Sequence, residues 1–401
     1  MILSIRSTFS FIAMAGILLA GLSCSKGDEA IKNFEPGELS VLTLQRAAVA
    51  AGFQLERVEA EIPSARRPGV EFNTLPWDDS LLVELRIRYD LEAVVEDASD
   101  EWQAQLLLNH WIHNQIENGT PEVEASSAIE ILDAAADGKK FWCSYYAITY
   151  AQCALALGWQ ARKISLDHFH DVGGAGSRHH GAAEVWSNKW RKWIYIDPQS
   201  DLHFEREGVP LSSWEVRQQW LDNGGANVDH VTGVAPDTTH KNPSIVWWDL
   251  EEEDETALFF WLIYHDNYAT WEEDSPSPFY TPRDSFTDGK TWYQGGDSLY
   301  AHTGYRLNLF KPVEDIAKLH WTVGVVEAAI TGVGRGKIIM AIDTWQPDFL
   351  QFQVSFNGDD WEEVENPEAL EWNLGMGLNG ISIRAVNKAG VSGPRTTIVL
   401  N

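Results

Sequence analysis

The fold follows from FWCSYYAITYAQCALALGW at 141–159 and from two later stretches, HGAAEV at 180–185 and WIYIDP at 193–198. In the first stretch apolar residues recur at helical spacing, which predicts a helix with Cys143 in its first turn and Gly158 just beyond its end. The other two stretches are typical of strands. A helix followed by strands within one segment predicts an α+β domain.

Cys143, His180 and Asp197 have the chemistry of a nucleophilic triad. Backbone N–H groups and the dipole at the start of a helix favour the thiolate, which is the nucleophilic form of cysteine. An imidazole can stabilise that thiolate as an ion pair and later protonate a leaving amine, while a carboxylate on its far nitrogen fixes the tautomer. A cysteine, a histidine and an aspartate are the parts that this chemistry requires, and the quoted stretches contain all three.

The same stretches resemble the core of the transglutaminase-like superfamily. In that family a cysteine opens a helix, a histidine begins a strand with a glutamate four residues on, and an aspartate ends the next strand before a proline. The leucine-glycine to arginine step at 157–162 matches as well, so the resemblance covers roughly 99–202. It implies a papain-like fold with Cys143 as nucleophile, His180 as general acid/base and Asp197 as orienting group, and neither a cofactor nor a metal.

Three residues near His180 in the sequence need interpretation. The family commonly has an aromatic residue two positions after it, where this chain has Ala182, so the wall of the cleft should differ. His179 is an alternative base, but the spacing to Glu184 favours His180. Glu184 itself is interpreted as structural rather than catalytic.

A metal site is the alternative reading of the local histidines. His168, His170, Asp171, His179 and His180 are close in sequence, and His168 and His170 would face the same side of a strand. Histidines beside a catalytic cleft need no metal, and a thiolate triad does not use one. We therefore predict no metal here.

The cysteines Cys143 and Cys153 are predicted to be unpaired. Both fall in one helix, where ten residues span about 15 Å, while bridged Cα atoms lie within about 7 Å. An unpaired cysteine in an exported protein is a candidate reactive thiol.

The first residues, 1–23, are predicted to be an export signal. Arg6 precedes an apolar run of about 14 residues, too short for a membrane span, which needs about 20. The end of the run, Gly21-Leu22-Ser23-Cys24, resembles the lipobox of bacterial lipoproteins. The resemblance implies lipidation at Cys24, a tether over 24–36 and a lipid-anchored protein of the bacterial cell envelope, periplasmic or surface-exposed.

The length of the chain indicates how many domains it forms, and its net charge indicates which class of partner is excluded. At 401 residues the chain exceeds the roughly 250 residues that one core usually serves, so two or three domains are expected. The net charge of −29 argues against a nucleic-acid partner, because phosphate binding needs clustered cations.

The pattern of helices and strands in the rest of the N-terminal half predicts a catalytic domain at 37–225. Its expected elements are a helix at 39–55, a strand around Leu81, Val83, Leu85 and Ile87, and helices that begin near Ser99, at Ser126 or Ser127, and at Leu211.

The middle region, 226–317, is aromatic-rich and has a strand candidate at 258–264. Its tryptophans Trp247, Trp248, Trp271 and Trp292 could stack on glycans, although most tryptophans of the chain fall at core positions. We predict an uncertain β-rich region here.

The last segment, 318–401, alternates in short runs separated by turns, which predicts an antiparallel β-sandwich. The stretch ISIRAVNKAG at 381–390 followed by SGP resembles the closing strands of a fibronectin type III or immunoglobulin-like domain.

These features predict a cell-envelope cysteine enzyme that acts on amide or peptide bonds through a thioester. Hydrolysis is favoured over cross-linking, since no residue specifies an amine acceptor. Expected partners are a protein or peptide, an envelope glycan or a peptidoglycan peptide. The rival hypothesis is an inactive binding or scaffolding lipoprotein.

Overall fold

The computed structural model describes residues 37–38, 40–62, 64–168, 178–223, 225–234, 261–265, 279–282 and 310–401. The export signal and the whole tether, including Cys24, lie outside these ranges. Within them the chain is α+β. The helices are α1 (Val41–Ala51), α2 (Ser80–Tyr89), α3 (Leu91–Val95), α4 (Glu101–Gln115), α5 (Ala128–Ala136), α6 (Cys143–Ala156) and α7 (Ser213–Asn223).

The strands belong to several sheets. Their bounds are β1 (Gly37–Glu38), β2 (Leu55–Ala60), β3 (Glu117–Asn118), β4 (Lys140–Phe141), β5 (Ala161–His168), β6 (Arg178–Ser187), β7 (Lys192–Ile196), β8 (Leu202–Arg206), β9 (Val209–Pro210), β10 (Asp229–Thr232), β11 (Trp261–Tyr264), β12 (Phe279–Pro282), β13 (Phe310–Val313), β14 (Val326–Gly334), β15 (Lys337–Thr344), β16 (Phe349–Phe356), β17 (Glu362–Glu363), β18 (Leu370–Asn373), β19 (Asn379–Asn387) and β20 (Thr396–Leu400).

One sheet and one buried helix position the site. The sheet has the strand order β13-β12-β11-β5-β6-β7 and is antiparallel except for the β12–β13 pair. Helix α6 is buried at every position after Cys143 and packs on β5 and β6. Ala151, Ala154, Ala161 and Ala183 share one core cluster with the helices that precede α6. Small side chains at these positions let the helix lie close to the sheet.

The prediction of a strand around Leu81 to Ile87 is wrong, because this segment is helix α2. The alternation of apolar residues misled the assignment. Leu82 and Leu85, three apart, are the buried pair, whereas Ile87 is 76% exposed. Asp79 begins the helix, since its side chain accepts a hydrogen bond from the Leu81 N–H.

Most other predicted helices are present, with small shifts at their ends. The first, predicted over 39–55, is the shorter α1. Helix α4 is capped by Asp100 rather than by Ser99, and α5 is capped by Ser127. Gly158 has a positive φ of 86° after α6, as its predicted terminating role requires, and Gly138 has a positive φ of 81° after α5.

The described part of the middle region extends the central sheet. Strand β11 pairs with β5 along Trp261–Tyr264, and β12 and β13 continue outward from it. These strands therefore belong to the sheet that carries the triad histidine. The four tryptophans considered for glycan stacking lie outside the described residues.

The C-terminal segment forms the predicted antiparallel β-sandwich, built from the sheets β1-β14-β15-β18 and β17-β16-β19-β20-β2. Residues near the N-terminus contribute to it. Helix α1 buries Leu44, Ala47 and Ala48 in the sandwich core, and β2 pairs with β20. The sequence-based boundary at residue 37 groups these elements with the catalytic segment, whereas their contacts are with the sandwich.

The sandwich contacts the far end of α6. The Asn387 side-chain amide donates to the Gly158 carbonyl at 2.8 Å, and Val391 packs against the core around α6. Gly158 follows the C-terminus of α6, while Cys143 begins it. The sandwich therefore supports the helix from the end opposite the nucleophile. No helix among the described residues has the length and apolarity needed to cross a membrane.

Candidate active site

Cys143 is the first residue of α6, as predicted. The preceding Trp142 has extended backbone angles and no side-chain capping hydrogen bond. First-turn N–H groups of a helix have no intrahelical acceptor, and they favour a negative charge in front of them. Cys143 is partly exposed and Trp142 is 44% exposed, so solvent reaches the start of the helix.

His180 reaches the thiol because β6 passes very close to the start of α6. A Cβ placed on Gly181 would lie 2.9 Å from the Ser144 Oγ and 3.0 Å from its Cα. Only glycine allows this approach without displacement of the helix backbone. The His180 side chain is buried and hydrogen-bonded to the Cys143 side chain.

Asp197 binds the other side of the imidazole. Its Oδ2 lies 2.8 Å from His180 Nε2, which leaves Nδ1 as the ring nitrogen for the thiol. Asp197 follows β7 and is fixed by the turn after it. The backbone N–H groups of Gln199 and Ser200 donate to Oδ1, and the Ser200 hydroxyl donates to Oδ2 at 2.9 Å. The three predicted site residues are thus together.

The turn that carries the aspartate is held by helix α4. Asn109 Nδ2 donates to Asp201 Oδ1 at 3.1 Å, and His110 Nδ1 donates to Asp201 Oδ2 at 2.6 Å. His113 Nδ1 donates to the Gln199 carbonyl at 2.9 Å. These contacts order the turn from α4, the helix that was predicted to begin near Ser99 with no role in the site.

The pKa values of His180 and Cys153 are both shifted, for different reasons. Burial lowers the pKa of His180, but Asp197 and Cys143 outweigh it and raise the value to about 10. The ring is therefore an imidazolium at neutral pH. Cys153 is fully buried and burial raises its pKa, so this second thiol stays protonated. Cys143 and Cys153 are not joined by a disulfide, in agreement with the prediction that they do not pair.

Glu184 belongs to a buried network rather than to the triad. Its Oε2 accepts from Arg162 at 2.6 Å, and its Oε1 accepts from the Ser213 N–H at 2.9 Å. The Ser213 hydroxyl contacts Tyr264 at 3.1 Å, and Tyr264 contacts His320 Nε2 at 3.1 Å. The network ties β5, β6, α7 and β11 together, so these contacts agree with the structural interpretation of Glu184.

His320 should make the protein sensitive to mild acid. Burial lowers its pKa to about 4, against the attraction of Glu184, whereas an unfolded histidine titrates near 6.5. Between these values only the unfolded chain binds the proton. The contribution of His320 to the free energy of unfolding is therefore fully present above about pH 6.5 and falls by about 1.4 kcal/mol per pH unit below it. We expect His320→Gln to flatten this slope in urea unfolding at pH 7, 5.5 and 4.5. Equal slopes in both proteins would contradict the assignment.

Two other expectations concern the surroundings of the base. Ala182 is fully buried in a core cluster with Ile164 and Leu166, so its side chain packs in the core against the sheet and does not line the cleft. Of the proposed metal ligands, His170 and Asp171 lie outside the described residues. Within the described ranges no three His, Cys, Asp or Glu side chains form a group that could hold a metal ion.

Several residues of the site were not identified from sequence. Ser200 and Gln199 follow the aspartate directly, and an Asp-Pro-x-Ser turn is a recognisable signal for side-chain to backbone hydrogen bonds. Gly181 follows the histidine, and a glycine inside a strand is a signal of close backbone approach. Asn118 has no comparable local signal.

Comparisons with known proteins give little further information. No protein-family profile matches the sequence, and no curated protein sequence matches it. A solved structure that matches is a candidate cysteine protease from Cytophaga hutchinsonii, with 14% identity and a TM-score of 0.24, covering 35% of this chain and 48% of that chain. The match thus spans about half of the Cytophaga protein. The functional assignment rests on the residues of this chain.

Proposed function

We propose that this protein is a cysteine hydrolase of the transglutaminase-like type, acting on amide or peptide bonds. The observation that carries the proposal is a single imidazole, His180, bonded to Asp197 at 2.8 Å and to Cys143 at the start of α6. A merely structural cysteine has no need of a partly exposed helix start, an imidazole and an oriented carboxylate in one chain of contacts.

The mechanism begins with the thiolate–imidazolium pair. The Cys143 sulfur attacks the carbonyl carbon, and the carbonyl electrons move to oxygen to give a tetrahedral oxyanion. The oxyanion collapses, the C–N bond breaks, and His180 gives its proton to the leaving amine. A thioester to Cys143 remains.

The second half uses the neutral imidazole as a base. His180 takes a proton from water, and the resulting hydroxide attacks the thioester carbonyl. Collapse of this second oxyanion releases the carboxylic acid and restores the thiolate, while His180 keeps the proton. Asp197 holds the ring in one tautomer and stabilises the imidazolium in both halves. Water as acceptor makes the enzyme a hydrolase. A peptide or an envelope glycopeptide is the proposed substrate class, and attachment to the cell envelope through Cys24 is proposed with it.

The test combines thiol labelling with turnover. In the native chain iodoacetamide should modify Cys143 at least 100-fold faster than Cys153, with a rate that stays nearly constant from about pH 5 to pH 9, because the thiolate is held by the imidazolium. Peptide mapping by mass spectrometry reads each cysteine separately. In strong denaturant the difference should disappear.

Turnover is measured with p-nitrophenyl acetate and with a mixture of synthetic peptides. Cys143→Ala should reduce both to background, while Cys153→Ala, the matched control, should retain activity. An ordinary thiol pH profile at Cys143, or turnover that survives Cys143→Ala, would refute the hydrolase. The first result together with peptide or glycan binding unaffected by Cys143→Ala would support the inactive scaffold instead.

A further inference from the structure

Asn118 lies beside the segment that leads into the nucleophile. Strand β3 pairs in parallel with β4, with Asn118 opposite Phe141, and the Gly119 N–H donates to the Phe141 carbonyl at 3.0 Å. Phe141 is two residues before Cys143. The β3–β4 pair therefore holds the Asn118 backbone alongside the approach to the first turn of α6.

The Asn118 side chain is also bonded to the opposite side of the site. Gln199 Nε2 donates to Asn118 Oδ1 at 2.7 Å, and the Gln199 N–H donates to Asp197 Oδ1 at 3.0 Å. Gln199 is 5% exposed and is fixed by α4, so its amide is a rigid partner. A chain of contacts thus runs from Asn118 through Gln199, Asp197 and His180 back to Cys143.

This arrangement determines which part of the Asn118 amide is left for a substrate. Its oxygen is occupied by Gln199, and the side chain is exposed to solvent, so the Nδ2 group is presented as a hydrogen-bond donor. An oriented amide donor can stabilise charge that develops on a carbonyl oxygen during acyl transfer. The first-turn N–H of Cys143 offers one donor for that oxygen, and a second is required to complete the pair.

We propose that Asn118 Nδ2 is the second donor to the oxyanion formed on attack by Cys143. The inference rests on the proposed hydrolase function and adds a catalytic residue to it. Gln199 acts as a positioning residue, because it turns the Asn118 amide so that oxygen points to the protein and nitrogen to the substrate.

The alternative is that Asn118 only anchors the β3 strand. Two substitutions separate the roles. Asn118→Asp keeps an oxygen for Gln199 Nε2 but loses the donor, whereas Asn118→Ala loses both without adding charge. Asn114→Ala is the matched control, since Asn114 is another exposed asparagine near the end of α4 and, among the described residues, bonds to His110 of its own helix.

The experiment compares two reactions of the same thiol in the full chain. Alkylation by iodoacetamide forms no oxyanion, while acylation by p-nitrophenyl acetate does. We expect Asn118→Ala to leave the alkylation rate within about threefold of the parent and to lower the acylation rate constant at least 100-fold, with little change in KM. Asn118→Asp should be at least as slow in acylation, and Asn114→Ala should match the parent.

Two outcomes overturn the inference, and they differ from failure of the proposed function. Acylation within threefold of the parent in both Asn118 variants, with Cys143→Ala inactive, removes the donor role and leaves the hydrolase. A parallel loss of alkylation and acylation in both variants assigns Asn118 a structural role. Acylation that survives Cys143→Ala removes the hydrolase and the donor together.

Discussion

Gly181→Val should reduce the acylation rate of Cys143 by about 10³-fold while the protein remains folded. A Cβ on residue 181 would lie 3.0 Å from the Ser144 Cα and 3.1 Å from its backbone nitrogen, so the added atoms meet helix backbone, which cannot rotate away. Strand β6 must then move from α6, and His180 moves with it. A displacement of about 1 Å between reacting groups costs roughly 10²-fold, and loss of the His180 contact with the thiol adds to it.

The series Gly181→Ala and Gly181→Val gives a graded test, because the smaller side chain requires a shift of only a few tenths of an ångström. The matched control is Gly380→Ala in strand β19, where a Cβ would meet Asn357 at an ordinary 3.7 Å. Iodoacetamide labelling near pH 6 reports the thiolate, and the melting temperature reports folding. Full labelling and full acylation in Gly181→Val would show that the close approach is not needed.

The places of Cys143, His180 and Asp197 in the chain were predictable from the resemblance to the transglutaminase-like core and from local pattern, because Cys143 begins a helix, His180 lies in a strand and Asp197 directly follows the next strand. Cysteine at a helix start, histidine in a strand and aspartate at the end of the next strand are local features, and local periodicity records them. Gly158 could be identified as the end of α6 for the same reason. The identity of these residues and their relative order therefore follow from sequence.

The supporting contacts were not predictable because they join distant segments. Strands β3 and β4 have two residues each, too few for any periodicity, yet they place Asn118 opposite Phe141, two residues before the nucleophile. Asp201 is bonded to Asn109, 92 positions earlier in the chain. Such pairs are determined by how α4 packs across the site.

In the sandwich, too, the strands were predictable from sequence and the pairing of distant segments was not. The alternation in β15, β16 and β19 indicates strands with one buried face, and that prediction is confirmed. The pairing of β2 with β20 joins the first and last parts of the described chain and has no local signal. Helix α1 looks like an ordinary amphipathic helix in sequence, and only the tertiary structure shows which core its buried face enters.

Arg162→Ala should lower the free energy of unfolding by about 3–5 kcal/mol, the usual cost of leaving one partner of a buried ion pair alone. The Arg162 side chain is 2% exposed and that of Glu184 is fully buried, with two guanidinium nitrogens on one carboxylate oxygen at 2.6 and 3.0 Å. A third nitrogen donates to the Leu319 carbonyl at 2.6 Å. Trp193 and Tyr264 lie 4.2 and 4.5 Å from the guanidinium carbon, measured to their ring centroids.

The carboxylate left behind determines the size of the effect. Burial acts to raise the pKa of Glu184, but the charge of Arg162, together with hydrogen bonds from Arg162 and Ser213, outweighs it and holds the value below the ordinary range. Without Arg162, burial dominates and the pKa of Glu184 should rise above the ordinary glutamate range. The variant should therefore be least stable at high pH, where the unpaired charge must be kept buried, and the loss should shrink as the pH falls. The parent behaves oppositely, because its ion pair contributes fully above the ordinary glutamate pKa and is lost as the pH falls through the lowered one.

The double variant Arg162→Met with Glu184→Leu is the control for this argument. It removes both charges and fills the space with apolar atoms, so it should recover most of the stability that Arg162→Ala loses. Urea unfolding followed by tryptophan fluorescence, at pH 6 and at pH 9, measures all three proteins. If the double variant is no more stable than Arg162→Ala, the damage comes from lost stacking on Trp193 and Tyr264, and the buried carboxylate is not its cause. Recovery in the double variant would instead place the cost on the unpaired charge, and would show that apolar packing can hold strand β6, which carries both Glu184 and His180, without the ion pair.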